Sequence, residues 1–289
     1  MKTGKKRFRS VMCTVLAFLL ALSMTLIGIL CVAKLTVMNP NYLIRVYRAS
    51  DYAKEIHAEL KEDFISYGSA CNVDASFFDG VFDTIITEQL VEDYTAESVT
   101  DLYNGTETEK DLSELDSKLL EALKVYAVDK GFELDSTLEE NLKNMSSEMC
   151  GIFDTCAGMF KTSYFKSAMN TARRYMPLFK WAIIGLSVFA LLSVVEIRLF
   201  FAKAKNYLRY YIYATSGATL MLAVAPATAL IMKIGSRINF ANASLYGLAS
   251  GFINGIFVAM LYAAAVAAAI TVSLIILRSV AVKKKQKAE

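Results

Sequence analysis

The 289-residue chain is poor in the residues that most often carry chemistry. It has one histidine, one tryptophan, five cysteines and only three prolines. A single histidine argues against a histidine metal centre, because such sites draw several ligands from histidine and cysteine. An odd number of cysteines does not fit a complete disulfide framework. So few prolines leave long segments free to form uninterrupted helix.

Motifs that mark enzymes are also missing. The chain has no glycine-rich nucleotide loop, no serine elbow and no metalloprotease helix motif. His57 stands between Glu55 and Glu59 in an amphipathic pattern, which predicts a solvated surface position. Asp79 and Asp83 are four residues apart, but no loop has the oxygen-ligand spacing of a calcium site. We therefore expect no catalytic residue, no cofactor and no bound metal.

Acidic residues are almost absent outside the middle of the chain. Residues 34–177 hold 26 of the 28 acidic residues and 14 of the 31 basic ones, a net charge of −12. The remainder holds 17 basic and two acidic residues, a net charge of +15. Its basic residues lie in short clusters beside apolar segments rather than on one basic face. We therefore expect no nucleic-acid partner.

Apolar residues are concentrated in four long segments. Residues 11–33 and 210–232 are each 23 positions without a charge, and residues 238–277 are forty. A helix of about 20 apolar residues is enough to cross the hydrocarbon layer of a membrane. The segment near 178–202 has a shorter uncharged part, which Lys180 extends because its side chain can reach outward to the interface. The sequence predicts an all-α polytopic membrane protein with four transmembrane helices.

The first apolar segment predicts a signal anchor. It follows the basic tail 1–10, which is similar to the start of a signal peptide. Its apolar core is longer than the 7–15 residues, roughly, of a cleaved signal. We expect it to remain uncleaved, and cleavage after Ala33 is the alternative.

Lysine and arginine predict the orientation of the four helices. They cluster in the tail 1–10, the loop 203–209 and the tail 278–289, which fall on one side of a four-helix topology. Basic connections face the cytoplasm, so both termini are expected there, with the protein in the plasma membrane. The segment 34–177 and an outer loop, 233–252, then lie outside. The predicted transmembrane helices span residues 11–33, 178–202, 210–232 and 253–277.

The outside segment carries repeated helix-start signals. Thr87 is placed to cap one helix, and Asp111 and Ser136 each stand three residues before a glutamate, the spacing of a capping box. Strand-like alternation is scarce. We expect an extracytoplasmic helical bundle in which the helix beginning at Ser136 reaches Met176.

Two prolines stand near the ends of this bundle. Pro40 follows the first membrane segment, and Pro177 precedes the second. Because the residue before a proline avoids helical geometry, we expect the helix to be interrupted at both junctions.

Three cysteines, Cys71, Cys150 and Cys156, fall in the outside segment, where one disulfide could form. Cys150 and Cys156 are close in sequence, but on a regular helix they would be about 9 Å apart along the axis. A disulfide needs Cα atoms nearer than about 7 Å, so this pair requires a broken helix. Pairing of Cys71 with either partner is equally allowed, and free thiols are the remaining alternative.

Small residues recur in the last two membrane segments. Gly247, Gly251 and Gly255 are spaced by four and lead into an alanine-rich stretch, and the third helix offers Gly217 and Pro226. Small residues at this spacing allow helix backbones to approach closely. Ordinary helix packing is the simpler interpretation. The functional alternative is a kinked or moving helix pair around Pro226, as in a permease.

Two short phrases carry a resemblance in layout. Residues 39–42 read Asn-Pro-Asn-Tyr after the signal anchor, and residues 208–211 read Leu-Arg-Tyr-Tyr before a small-residue helix. In these features the chain resembles uncharacterised four-helix membrane proteins of Gram-positive-type bacteria with one helical extracytoplasmic domain. The resemblance implies no activity. The topology is also similar to division-associated and efflux-associated permeases that partner an ATPase, although their outside domains contain strands.

These features favour two functions. The first is a non-catalytic envelope interaction or sensing protein that acts through residues 34–177. The predicted cytoplasmic segments are too short for an output domain, so a signal would need another protein. The second is a transport or permease subunit that partners a separate ATPase. The expected partners are the lipid bilayer and a protein outside or within the membrane, and an oligomer is compatible with either function.

Overall fold

The computed structural model describes residues 2–106, 111–201, 204–237 and 243–286, and all regular structure in these ranges is helical. The prediction of an all-α protein is confirmed. Two short 3-10 turns occur at Met159–Lys161 and Ile234–Arg237. The α-helices are α1 (Lys2–Leu35), α2 (Pro40–Ala49), α3 (Tyr52–Ala70), α4 (Ala75–Thr84), α5 (Glu88–Asn104), α6 (Ser113–Asp129), α7 (Ser136–Ala157), α8 (Ser163–Phe200), α9 (Ala204–Ile231) and α10 (Ala243–Gln286).

Four of these helices are long and apolar enough to cross a membrane, as the sequence predicted. The apolar spans lie in α1, α8, α9 and α10. They fit a multi-pass membrane protein. The spans are Phe8–Leu35, Ser163–Phe200, Asn206–Ile231 and Ser244–Lys283.

The chain divides into two compact units. The first, here the apolar-helix unit, contains Met1–Asn39, Arg173–Ile238 and Phe252–Glu289. The second, here the bundle unit, contains Pro40–Ala172 and Asn239–Gly251.

The bundle unit has a core rich in aromatic side chains. The ring of Phe64 meets the rings of Phe78 and Phe82 edge-on, with centroids 6.3 Å and 5.3 Å away. All three side chains are buried. Each large apolar side chain buried in this way contributes about 1.5–3 kcal/mol. Leu60 of α3, Val91 of α5, Leu119 of α6 and Phe153 of α7 extend the same core.

Helix caps explain where several bundle helices begin. Thr87 caps α5 as predicted, because its side chain accepts a hydrogen bond from the Leu90 backbone N–H at 3.2 Å. Helix α7 is capped by Asp135 rather than by Ser136, and its carboxylate accepts from the Leu138 N–H at 2.7 Å. A charged acceptor is favoured here by the partial positive charge of the helix N-terminus.

Two junctions of the bundle differ from the predictions. Helix α7 ends at Ala157, not at Met176, and a 3-10 turn precedes α8. Gly158 ends α7 where a Cβ would overlap the Asp154 carbonyl oxygen.

The interruption predicted at Pro40 is confirmed, since α2 begins there, a position where the missing N–H of proline costs nothing. The interruption predicted at Pro177 is wrong. Pro177 lies inside α8, which is continuous from Ser163 to Phe200.

In the apolar-helix unit, α1 and α9 pack through small side chains. Gly28 of α1 faces Leu222 of α9, whose methyl groups lie 3.1 Å from the position of an added Cβ. Gly217 of α9 similarly faces Ala21 of α1 at 3.3 Å. Helix α10 begins at Ala243, within the segment predicted as the outer loop 233–252.

Candidate partner-binding groove

An open groove of about 540 Å³ lies between α4 and α6 of the bundle unit. Its walls are mainly apolar, with three charged side chains from α6. The lining residues are Phe77, Gly80, Val81, Thr84, Ile85, Lys118, Glu121, Ala122, Val125, Tyr126 and Asp129.

Helical periodicity places the apolar residues of α4 in the groove. Phe77, Val81 and the following Ile85 are spaced by four, so they lie along one face of the helix. Phe78 and Phe82, one position further on, point into the core and are buried. On the groove side, Val81 is also buried, whereas Phe77 and Ile85 are half-buried, so the apolar wall that α4 contributes is only partly covered.

A polar cluster stands at the Tyr126 end of the groove. The phenol of Tyr126 accepts a hydrogen bond from the Asp74 backbone N–H and donates one to Asp74 Oδ2, each at 3.0 Å. Lys130 Nζ lies 2.5 Å from the same carboxylate oxygen. The Phe77 and Tyr126 rings are in contact, with centroids 4.9 Å apart. These contacts fix the position of Tyr126 in the groove wall.

The same cluster shifts the pKa of both charged groups. The hydrogen bond from Lys130 to Asp74, and then the one from Tyr126, lower the pKa of the Asp74 carboxyl. The hydrogen bond and charge of Asp74 raise the pKa of Lys130. Both groups are solvent-exposed, so the cluster orients side chains rather than supplying much free energy of folding.

Gly80 leaves the floor of the groove open. A Cβ built on Gly80 would meet no other heavy atom within 4 Å. A larger side chain at this position therefore projects into the groove without disturbing the packed face of α4.

Exposed apolar side chains extend beyond the groove at the end of α6. Val125 is 57% exposed and Val128 is 54% exposed, and after the turn at Gly131 come Phe132, 62% exposed, and Leu134. Gly131 adopts a positive φ of 84°, a conformation that favours glycine. We call these four apolar residues, Val125, Val128, Phe132 and Leu134, the α6 patch. An exposed apolar patch on an otherwise polar surface is typical of an interaction site.

The cysteines singled out from the sequence are all free thiols in the structure. Cys71 is exposed just after α3. Cys150 is buried, and burial raises its pKa to about 11. Burial also raises the pKa of Cys156 to about 11, and its Sγ lies 3.6 Å from Asp63 Oδ2. Cys150 and Cys156 lie on one continuous helix, α7. The disulfide stays a prediction.

The glycines singled out for helix packing have separate neighbours. Gly217 faces α1, as described above. Gly251 faces a Val46 methyl group 3.2 Å from its Cβ position, and Gly247 faces the Ser50 carbonyl at 3.4 Å, both within the bundle unit. Gly255 is half-buried in α10, and Pro226 lies inside α9. A moving helix pair around Pro226 stays a prediction.

Two polar residues considered from the sequence have structural partners. His57 is half-buried rather than solvated, because its Nε2 lies 2.7 Å from the Ile86 carbonyl oxygen and its ring packs against Phe82. Asp79 forms a 2.6 Å ion pair with Lys61. Within the described ranges, no group of three or more histidine, cysteine, aspartate or glutamate side chains could hold a metal ion.

The chain matches no family model, no curated protein and no solved structure. The groove and the α6 patch are therefore identified from geometry alone. Sequence reasoning did not find the groove, because α4 has no strong cap signal and its two apolar faces look alike in sequence. The run of apolar residues on both sides of Gly131, within an acidic segment, was the available signal.

Proposed function

We propose that this protein is a non-catalytic envelope interaction or sensing protein whose bundle unit binds a protein partner. The observation that carries the proposal is the open, mainly apolar groove between α4 and α6, continued by the exposed α6 patch. Covering apolar surface is favourable by roughly 25 cal/mol per Å², so a partner that fills the groove gains free energy there. The rim residues Lys118, Glu121 and Asp129 would orient that partner.

The proposal includes a membrane topology. The basic segments 1–10, 203–209 and 278–289 support cytoplasmic termini, and the acidic segment 34–177 supports an extracytoplasmic bundle unit. The first helix is then an uncleaved signal anchor. In this arrangement the groove faces the envelope, and a bound partner is an envelope protein.

Site-specific crosslinking in native membranes tests the groove. A photoreactive amino acid at Val125 is expected to capture a discrete partner, and one at Lys54, an exposed position on α3 that does not line the groove, is expected to capture none. Gly80→Leu narrows the groove and should weaken or abolish the Val125 crosslink. Gly151→Leu is the matched control, because Gly151 is also a helical glycine with nothing within 4 Å of its Cβ position.

The outcomes separate three cases. A heterologous crosslink that Gly80→Leu weakens or removes and Gly151→Leu leaves intact supports the proposal. A crosslink to a second copy of this chain replaces the partner by a homo-oligomer. If both variants crosslink like the wild type, or if no crosslink forms, the groove does not bind a partner.

A permease subunit partnered with an ATPase is the second candidate. It is favoured by α9, which carries Pro226 and packs on α1 through Gly217. Leu222 of α9 also packs on two alanines of α10, Ala264 and Ala267. Proline in a membrane helix is compatible with a hinge. Co-purification of an ATPase from native membranes, or substrate flux in liposomes, would favour this function. Intact protein that shows neither would count against it.

A further inference from the structure

A row of aromatic rings joins two arginines in the apolar-helix unit. The guanidinium of Arg9 on α1 lies over the Phe201 ring, 4.5 Å from its centroid. Phe201 stacks on Tyr210 of α9, with centroids 5.4 Å apart and planes at 16°. Tyr210 meets Tyr213 edge-on at 6.3 Å, and Arg209 lies 5.2 Å above Tyr213. The two cations thus stand at opposite ends of one ring stack.

The Nε–H groups of the two arginines differ in their hydrogen bonding. Arg209 donates from Nε to the Tyr213 phenol oxygen at 2.5 Å. Arg9 Nε is buried and has no hydrogen-bond partner within the described ranges. A buried donor without an acceptor costs free energy, more so when it carries a charge. Arg9 therefore lies over the Phe201 ring with an unsatisfied Nε–H group.

The chain supplies almost no carboxylate that could serve as this anion. Outside residues 34–177 the only acidic residues are Glu196 and Glu289, against 17 basic ones. Glu196 is exposed on α8. Arg9 forms no ion pair in the part of the chain that the structure describes. Within the described residues Arg9 therefore has no carboxylate partner, and an anion from outside the chain would supply the negative charge.

We propose that Arg9 and its ring stack bind the phosphate of an anionic phospholipid headgroup. A planar guanidinium suits a phosphate, because two of its N–H groups can donate to two phosphate oxygens. The inference rests on the proposed topology, in which these helix ends face the cytoplasmic leaflet, where anionic lipids attract basic segments.

Exposed apolar side chains around the site favour a lipid over a soluble phosphate. Met12, one turn after Arg9 towards the apolar part of α1, is 37% exposed, and Leu199 on α8 is 80% exposed. Both lie in helices apolar enough to cross a membrane. A phospholipid places its phosphate at Arg9 and its acyl chains along these side chains, whereas a soluble phosphate ester leaves them uncovered.

Native mass spectrometry of the full chain in detergent tests the site. Phosphatidylglycerol and phosphatidylcholine are added at equal concentration, and the bound copies of each are counted. The wild type should retain phosphatidylglycerol preferentially. Arg9→Gln should weaken that retention about tenfold, because it removes the hydrogen bonds that the guanidinium donates to the charged phosphate. Phe201→Leu keeps every charge but removes the ring beneath Arg9, so it should weaken retention as well.

Arg278→Gln is the matched control, because it removes one charge from the same predicted side, in α10. It should retain phosphatidylglycerol like the wild type, and a thermal unfolding scan in the same detergent checks that each variant is folded. Equal retention of both lipids, no effect of Arg9→Gln and Phe201→Leu, or equal losses in Arg9→Gln and Arg278→Gln would each overturn the site. If soluble glycerol phosphate displaces the lipid, the proposal that the phosphate bound at Arg9 belongs to a phospholipid is wrong. The groove crosslink and a labelling test of the topology are read out separately, so failure of the lipid site does not count against either.

Discussion

Gly68 determines how closely α3 and α4 approach each other. A Cβ at this position would overlap the ring of Phe78, which is fully buried and cannot move aside. We predict that Gly68→Ala lowers the free energy of unfolding by about 1–3 kcal/mol, the usual cost of overpacking a core. Chemical denaturation of the purified full chain, followed by circular dichroism, measures the difference.

A second glycine provides the control for this prediction. Gly151 lies in α7 with open space around its Cβ position. Gly151→Ala should be neutral or stabilise the protein by up to about 1 kcal/mol, because alanine favours helix over glycine. Equal destabilisation by both substitutions would mean that the contact with Phe78 is not the cause.

The Asp74 carboxylate makes one contribution to stability that depends on pH. Its pKa is lowered in the folded protein by Lys130 and Tyr126, so the folded state favours the charged form. The stabilising effect is complete well above the ordinary pKa of 3.8 and is lost as the pH falls through the lowered folded value. Asp74→Asn should therefore be less stable than the wild type at neutral pH, and the two should converge in acid. A difference that stays constant down to the lowest pH would contradict this assignment.

At the scale of elements, the α1–α9 contact depends on the absence of side chains. Gly217→Leu would force its side chain against Ala21, so we predict a loss of about 1–3 kcal/mol in stability. Gly185→Leu is the control, because Gly185 lies in the apolar span of α8 with nothing within 4 Å of its Cβ position. In a thermal unfolding scan in detergent, the melting temperature of Gly217→Leu should fall below that of the wild type, and that of Gly185→Leu should not.

Element boundaries show how far local sequence signals extend. The cap at Thr87 and the break at Pro40 were predictable, because each depends on a few neighbouring residues. The end of α7 and the continuity of α8 through Pro177 were not. The apolar span of α8 is only 6% buried, so the continuity of α8 through Pro177 does not depend on tertiary packing. A long helix on both sides of one proline is held by the cooperativity of helix formation.

At the scale of the whole molecule, the proposed topology places Cys71 outside the cell. Cys71 is an exposed thiol, whereas burial and a raised pKa make Cys150 and Cys156 slow to react. A membrane-impermeant maleimide should therefore label intact cells, and Cys71→Ser should remove most of the label. Labelling that appears only after a reducing agent would instead support a disulfide at Cys71.

An engineered cysteine completes the topology experiment. Ser279→Cys in a Cys71→Ser background lies in the tail predicted to be cytoplasmic, and its position is exposed. It should react only after the membrane is permeabilised. If Ser279→Cys reacts in intact cells and Cys71 reacts only after permeabilisation, the topology is the inverse of the proposed one. If both react in intact cells, the proposed arrangement of the four spans is wrong.

The sequence by itself determined the helical class and the four apolar spans. Both follow from local composition, since a long uncharged segment has few alternatives to a membrane helix. The distribution of charge in the sequence also distinguished the acidic segment 34–177 from the basic segments on either side of it. Only the tertiary structure placed Phe77 and Val81 beside Val125 to form a groove, and only it brought Arg9 onto Phe201. Contacts between residues far apart in the chain depend on how the helices pack, and no local pattern encodes which apolar side chains will line a groove.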